Sequence, residues 1–156
     1  MKESSIWKKL NQLQKTNKGW HLTRIESHTI QGIPDVHVLI SGKSFWLELK
    51  SKKGNNLGLS NYQINWHIKH ILSGGKVFIL RPSTLQGGFE ILKIRVPRTM
   101  VNGCSRFVPA PHSKSLPDSG SLPDSESLPN SESLPYIHIS QNQDLEKLIR
   151  TILNKI

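Results

Sequence analysis

Gly32-Ile33-Pro34-Asp35-Val36-His37-Val38-Leu39-Ile40-Ser41-Gly42-Lys43-Ser44-Phe45-Trp46-Leu47-Glu48-Leu49-Lys50 is the stretch on which the reading of this chain turns. Val36–Ile40 and Ser44–Lys50 are rich in β-branched and aromatic residues, and Ser41-Gly42-Lys43 between them supplies a tight turn, so the segment predicts a β-hairpin. Residues i and i+2 of a strand share a face, which sets Trp46, Glu48 and Lys50 on one side and Phe45, Leu47 and Leu49 on the other. Pro34 suits a strand entry, and Gly32 permits a sharp approach to it. If the two strands pair, Asp35 comes close to Glu48 and Lys50. Two carboxylates and a lysine at one sheet edge can hold a divalent cation through oxygen ligands and aim a water at a phosphate. Each signal alone has a plainer explanation. Gly-x-Pro-Asp is ordinary turn chemistry, and a half-buried strand with a solvated polar face also alternates. As a set at this spacing, they favour a site.

Outward from the hairpin, Ser4 or Ser5 can cap a first helix running to about Lys18, with Ile6, Leu10 and Leu13 on one face and Gly19 as its stop. Trp20–His28 reads as a strand. After the basic loop Ser51–Asn56, Ser60 opens a second helix with Gln63 three residues on, the spacing of a capping box. Ile64, Ile68 and Ile71 form its apolar stripe, and Gly74-Gly75 end it. Lys76–Leu80 and Phe89–Ile94 read as further strands. The order helix, three strands, helix, strand predicts an α/β fold with a mixed sheet flanked by helices.

At 156 residues the chain fits one domain with a real core. Its formal charge of +10 is unevenly spread. Residues 1–112 hold 17 Lys and Arg against 5 Asp and Glu, a balance of +12, while 113–135 come to −3 and 136–156 to +1. A basic core favours a polyanion, nucleic acid before an acidic membrane, although basic proteins without a specific partner are common. Cys104 is the only cysteine, which rules out an internal disulfide and a cysteine-rich zinc site. The start lacks the apolar core of a signal peptide and no run approaches membrane-spanning length, so a cytoplasmic protein with no membrane partner is expected.

Residues 113–135 differ in kind from what precedes them. Ser-Leu-Pro-Asp-Ser-Gly, Ser-Leu-Pro-Asp-Ser-Glu, Ser-Leu-Pro-Asn-Ser-Glu and Ser-Leu-Pro follow one another in six-residue register from Ser115. The recurring proline blocks helix, and the polar content cannot offset ordering entropy, so a disordered acidic insert is predicted rather than a solenoid. Residues 136–156 are expected to return to the domain, with a last helix over about Gln143–Asn154 carrying Leu145, Leu148, Ile149 and Ile152 on one face. The expected layout is thus a domain at 1–112, an insert at 113–135 and a packed C-terminal strand and helix.

Gly32-Ile33-Pro34-Asp35, Glu48-Leu49-Lys50, Leu59-Ser60-x-x-Gln63-x-x-Trp66 and Gly74-Gly75-Lys76-Val77 together resemble the PD-(D/E)XK nuclease superfamily. Within it, the order and spacing look most like the virus-type replication-repair (VRR-NUC) and Holliday-junction-resolvase-like branches common in phage genomes. The resemblance covers roughly residues 3–80 and implies a restriction-endonuclease-like core. It further implies a metal-dependent endodeoxyribonuclease acting on duplex or branched DNA, in the host cytoplasm if phage-encoded, and it is compatible with a homodimer. By the same resemblance, Asp35 and Glu48 would ligate Mg²⁺ or Mn²⁺, Lys50 would orient or help deprotonate the attacking water, and Gln63 would stand beside the site. A capping-box role for Gln63 competes with that one, and a single side chain is not expected to satisfy both. Members of the group often add an acid from the first helix. Glu3 fits that position and Glu26 is a second candidate, and the sequence does not choose between them. The rival of another class is a DNA-binding module on the same fold that does not cleave, and RNA is an alternative substrate.

The remaining candidates are weaker. Lys52, Lys53, Lys69, Lys76 and Arg81 are read as phosphate contacts, which set affinity rather than sequence preference. Gln63, His67 and His70 share a helical face, and for the two histidines a solvated or DNA-facing stripe is favoured over a zinc site. Trp20, Trp46 and Trp66 are read as core. Deleting 115–135 is expected to leave the melting temperature nearly unchanged, and a large drop in a thermal melt would show that the repeat packs on the domain.

Overall fold

A computed structural model describes residues 2–27, 29–51, 57–83, 88–94, 96 and 136–156. The repeat, Cys104 and the lysines at 52 and 53 lie outside the described residues. In chain order the elements are α1 (Glu3–Thr16), β1 (Trp20–Arg24), β2 (Val36–Ile40), β3 (Lys43–Leu49), α2 (Asn61–Leu72), β4 (Val77–Pro82), β5 (Phe89–Ile94), β6 (Tyr136–Asn142) and α3 (Leu145–Lys155). The six strands form one α/β mixed sheet in the order β1-β2-β3-β4-β5-β6. Every neighbouring pair is antiparallel except β3 and β4, which run parallel because α2 carries the chain back across the sheet.

Strand alternation sorts the core into two layers. Leu22, Val38, Phe45, Leu47, Phe78, Leu80 and Ile91 point to one face, where Ile6 and Leu10 of α1 and Leu148, Ile149 and Ile152 of α3 cover them. On the other face Ile79, Leu92 and Ile94 meet Ile64 of α2 together with Leu57 and Leu59 from the loop before it. β4 lies between both layers, and all six of its residues are buried. Parallel strands covered on both faces have this near-continuous apolar character.

Several boundaries differ from the sequence reading, each for a local reason. α1 begins at Glu3, with Lys2 at the N-cap and no side-chain cap, so Ser4 and Ser5 fall inside the first turn. It ends at Thr16, where the Asn17 N–H and side-chain amide both donate to the Leu13 carbonyl, at 2.9 and 3.0 Å. β1 ends at Arg24, not His28, and the Ile25 N–H donates to the Asp35 carbonyl at 2.8 Å in continuation of the β1–β2 register. The hairpin turn is made by two residues, Ser41 and Gly42, with φ of 51° and 76°, the left-handed pair that a two-residue turn requires. Asp144 caps α3 through the backbone N–H groups of Glu146 and Lys147.

Arg81 is not a phosphate contact. It is buried at 8 % exposure opposite Glu90 in the β4–β5 register, and its Nε donates to Glu90 Oε1. Removing one charge of a buried ion pair costs far more than removing a surface one. Glu90→Ala is therefore expected to lower the unfolding free energy by about 3–5 kcal/mol. Glu146→Ala, which breaks an i,i+4 pair at the surface, should cost less than about 1 kcal/mol. Urea denaturation of the two variants side by side tests the difference.

Candidate active site

β2 and β3 pair with Val36 opposite Leu47, which places Asp35, the residue before β2, beside the end of β3. Asp35 Oδ2 accepts the Leu49 N–H at 2.7 Å and so closes the open end of the hairpin. Glu48 points to the α2 side of the sheet and is only 1 % exposed, which excludes a solvated polar face for this strand. Lys50 follows β3 directly, and its N–H donates to the Leu80 carbonyl of β4 at 3.0 Å. Its ammonium lies 3.0 Å from Glu48 Oε1 and donates to Gln63 Oε1 at 3.2 Å.

Gln63 joins the sheet to the helix. Its Nε2 donates to Glu48 Oε1, while its Oε1 accepts both Lys50 Nζ and the Ser60 N–H, the latter at 3.0 Å. Ser60 Oγ in turn accepts the Gln63 N–H at 3.3 Å, so the capping box is complete. The expectation that one side chain would not serve both roles is overturned. An amide has a donor end and an acceptor end with two lone pairs, and here the helix cap and Lys50 share the acceptor while the carboxylate takes the donor.

The structure also separates the two extra acids. Glu3, in the first turn of α1, accepts the Ser51 N–H at 3.3 Å, and its charge acts on both Asp35 and Glu48. Glu26 has a side chain 70 % exposed and pairs with Arg24 at 3.1 Å. It lines the cleft in front of the site but is not among the charges that shift the two carboxyls. Among the described residues no three His, Cys, Asp or Glu side chains converge as a metal cage. What does fit a cation is the Asp35–Glu48 pair. Among the described residues Glu48 Oε2 is buried with no hydrogen-bond partner, and the Asp35 charge acts on the same carboxyl.

Electrostatics follow from this burial. Desolvation, then repulsion from Asp35, pushes the Glu48 carboxyl up to about 8, against the attraction and hydrogen bond of Lys50. Asp35 is raised as well, mainly by burial, with the Leu49 N–H opposing. His67, one turn beyond Gln63, is pushed down to about 3 by burial and by the Lys50 charge. It is 1 % exposed, so it is not part of a solvated stripe; sequence spacing gave its helical face but not what covers that face. His70 stacks on Trp66 with centroids 4.6 Å apart. Trp66 meets Trp46 edge-on at 5.4 Å, both half-buried, while Trp20 is core as expected. Lys69 and Lys76 are exposed.

A cleft of about 530 Å³ opens onto the site, with Asp35 and Gln63 in its wall and the 25–33 loop opposite the start of α2. Gly32 (φ 84°) is required here, since a Cβ would collide with the Tyr62 carbonyl. Sequence reading did not single out Tyr62; it follows the Ser60 cap by two residues, but only the loop docking reveals its position. Compared with family models and with curated proteins, the chain matches none.

The raised Glu48 carboxyl has a consequence for stability. Between an unfolded value of 4.5 and a folded value of about 8, the folded chain holds a proton that the unfolded chain has lost. Stability is therefore greatest below pH 4.5 for this group and declines as pH rises towards 8, by up to roughly 1.4 kcal/mol per unit. Glu48→Gln keeps the shape and cannot ionise. In metal-free urea denaturation at pH 5, 6.5 and 8, the wild type should lose stability relative to this variant as pH rises. Equal slopes would show that Glu48 titrates normally.

Proposed function

We propose that this chain is a metal-dependent endodeoxyribonuclease of the PD-(D/E)XK type with a restriction-endonuclease-like core. The run α1-β1-β2-β3-α2-β4, with an antiparallel meander followed by a parallel crossover, supports that core. The observation that carries the functional reading is the state of Glu48. One oxygen is held by Gln63 and Lys50, the other is buried with no hydrogen-bond partner among the described residues, and the Asp35 charge acts on the group. A carboxylate pair held in this way is costly unless a cation compensates it.

Asp35 and Glu48 would hold Mg²⁺ or Mn²⁺, with Glu3 adding negative charge nearby. Such an ion lowers the pKa of water and offsets charge developing on the phosphate. The protein's own groups do the rest. Gln63 fixes Lys50 and Glu48 relative to each other, so the ammonium is oriented before substrate arrives. Lys50 would then orient the attacking water, its positive charge favouring loss of the water's proton to solvent. Asp35 is held in place by the Leu49 N–H. The net charge of +10, with Lys69 and Lys76 exposed, favours approach of a DNA backbone. Branched or duplex DNA in phage replication or recombination, a host-cytoplasmic setting and a homodimer belong to this same reading. No helix among the described residues is long and apolar enough to cross a membrane.

The test is incubation of purified protein with linear, nicked, flap and four-way DNA, and with RNA, in Mg²⁺, Mn²⁺ or EDTA. Cleavage should require the metal and should fall at least ~10²-fold in each of Asp35→Ala, Glu48→Ala and Lys50→Ala, the usual scale for positioned acid-base and electrostatic groups. Near-wild-type cleavage by either carboxylate variant would sink the assignment. DNA binding with no cleavage of any substrate would leave the non-cleaving binding module.

A further inference from the structure

Three large apolar side chains stand exposed among the described residues, and two of them, Tyr62 at 61 % and Ile30 at 56 %, line the cleft that leads to Asp35 and Gln63. The third, Leu39, is not in the cleft lining. Tyr62 and Ile30 share the cleft because the 25–33 loop is docked on the first turn of α2 at Gly32, against the Tyr62 backbone. Their neighbours in the wall include the neutral polar residues Gln31 and Ser60. Arg24 is there too, but its guanidinium is already paired with Glu26.

This lining suits a base better than a phosphate. A phosphate subsite calls for free cations and N–H groups, whereas a nucleobase presents two apolar faces and a polar edge. An aromatic ring, an aliphatic side chain and neutral donors and acceptors match those features. The volume of about 530 Å³ lies in the range of pockets that enclose one small ligand. Asp35 in its wall puts the neighbouring phosphate where cleavage is proposed.

We propose that this cleft seats one unpaired DNA nucleobase, stacked on Tyr62 and packed against Ile30, beside the phosphate addressed by Asp35 and Glu48. The inference rests on the nuclease reading for that phosphate. It makes Tyr62 a specificity residue, since a base that is already unpaired enters at the lowest cost. DNA with a bulged or splayed nucleotide is then bound in preference to a matched duplex.

The experiment uses the full chain in EDTA and in Ca²⁺, so that binding is read without turnover. The ligands are a matched duplex, the same duplex with a one-nucleotide bulge carrying 2-aminopurine, and one with an abasic bulge. The wild type should prefer the base-containing bulge and quench its fluorescence, and the abasic bulge should lose the preference. Tyr62→Ala should reduce the preference about tenfold, the scale of one lost stacking contact. Tyr62→Phe should retain it, Ile30→Ser should weaken it, and Leu39→Ser should leave it unchanged. Equal weakening of matched and bulged DNA by Tyr62→Ala, or no weakening of either, would overturn the proposal, as would tighter capture of the equivalent RNA bulge. The enzyme reading fails separately. A chain that never cleaves yet shows a Tyr62-dependent preference keeps the base pocket, and a chain that cleaves without that preference loses it.

Discussion

The amide of Gln63 is the point where helix and sheet are tied together. It completes the cap of α2, receives Lys50 and donates to Glu48. Helix N-termini carry donors that need partners, and buried carboxylates need donors, so one amide meets two requirements that would otherwise be met separately. Because α2 also carries the chain from β3 to β4, fixing its first turn on Glu48 fixes the crossover at the place where the parallel pair forms. The geometry of the site and the topology of the sheet are therefore constrained by the same few bonds.

Burial is what turns ordinary residues into a site. Glu48 at 1 % exposure has lost its water, and Lys50 restores only part of the lost solvation, so its carboxyl is raised to about 8. His67 behind it is kept neutral by the same dry environment and by the Lys50 charge. The Lys50 ammonium is held by Glu48 Oε1 and Gln63 Oε1 together.

The wall around the site is set by backbone rather than by charge. Asp35 closes the hairpin through the Leu49 N–H, and Gly32 lets the preceding loop lie against the Tyr62 backbone. These two contacts hold the chain on either side of Gly32 close to α2, which is why a cleft exists and why apolar side chains stand at its rim. The C-terminal segment contributes elsewhere, with β6 extending the sheet edge and α3 covering the face opposite the site.

How much of this was legible depends on the range of the interaction. The hairpin, the capping box of Ser60 and Gln63, the two faces of β3 and the apolar stripe of α3 are local patterns of period two, three or four, and the sequence alone determined them. The nearness of Asp35 to Glu48 also followed, because it needed only the pairing of adjacent strands. Tertiary structure decided the rest. That the Glu3 charge acts on Asp35 and Glu48 depends on where α1 lies against the sheet, and the burial of Arg81 depends on its partner Glu90 across a strand pair. The burial of His67 depends on α2 lying over the sheet. The double use of Gln63 could not be read from spacing, because spacing counts residues while hydrogen-bond capacity belongs to atoms, and only the packed helix shows which atoms reach which partners.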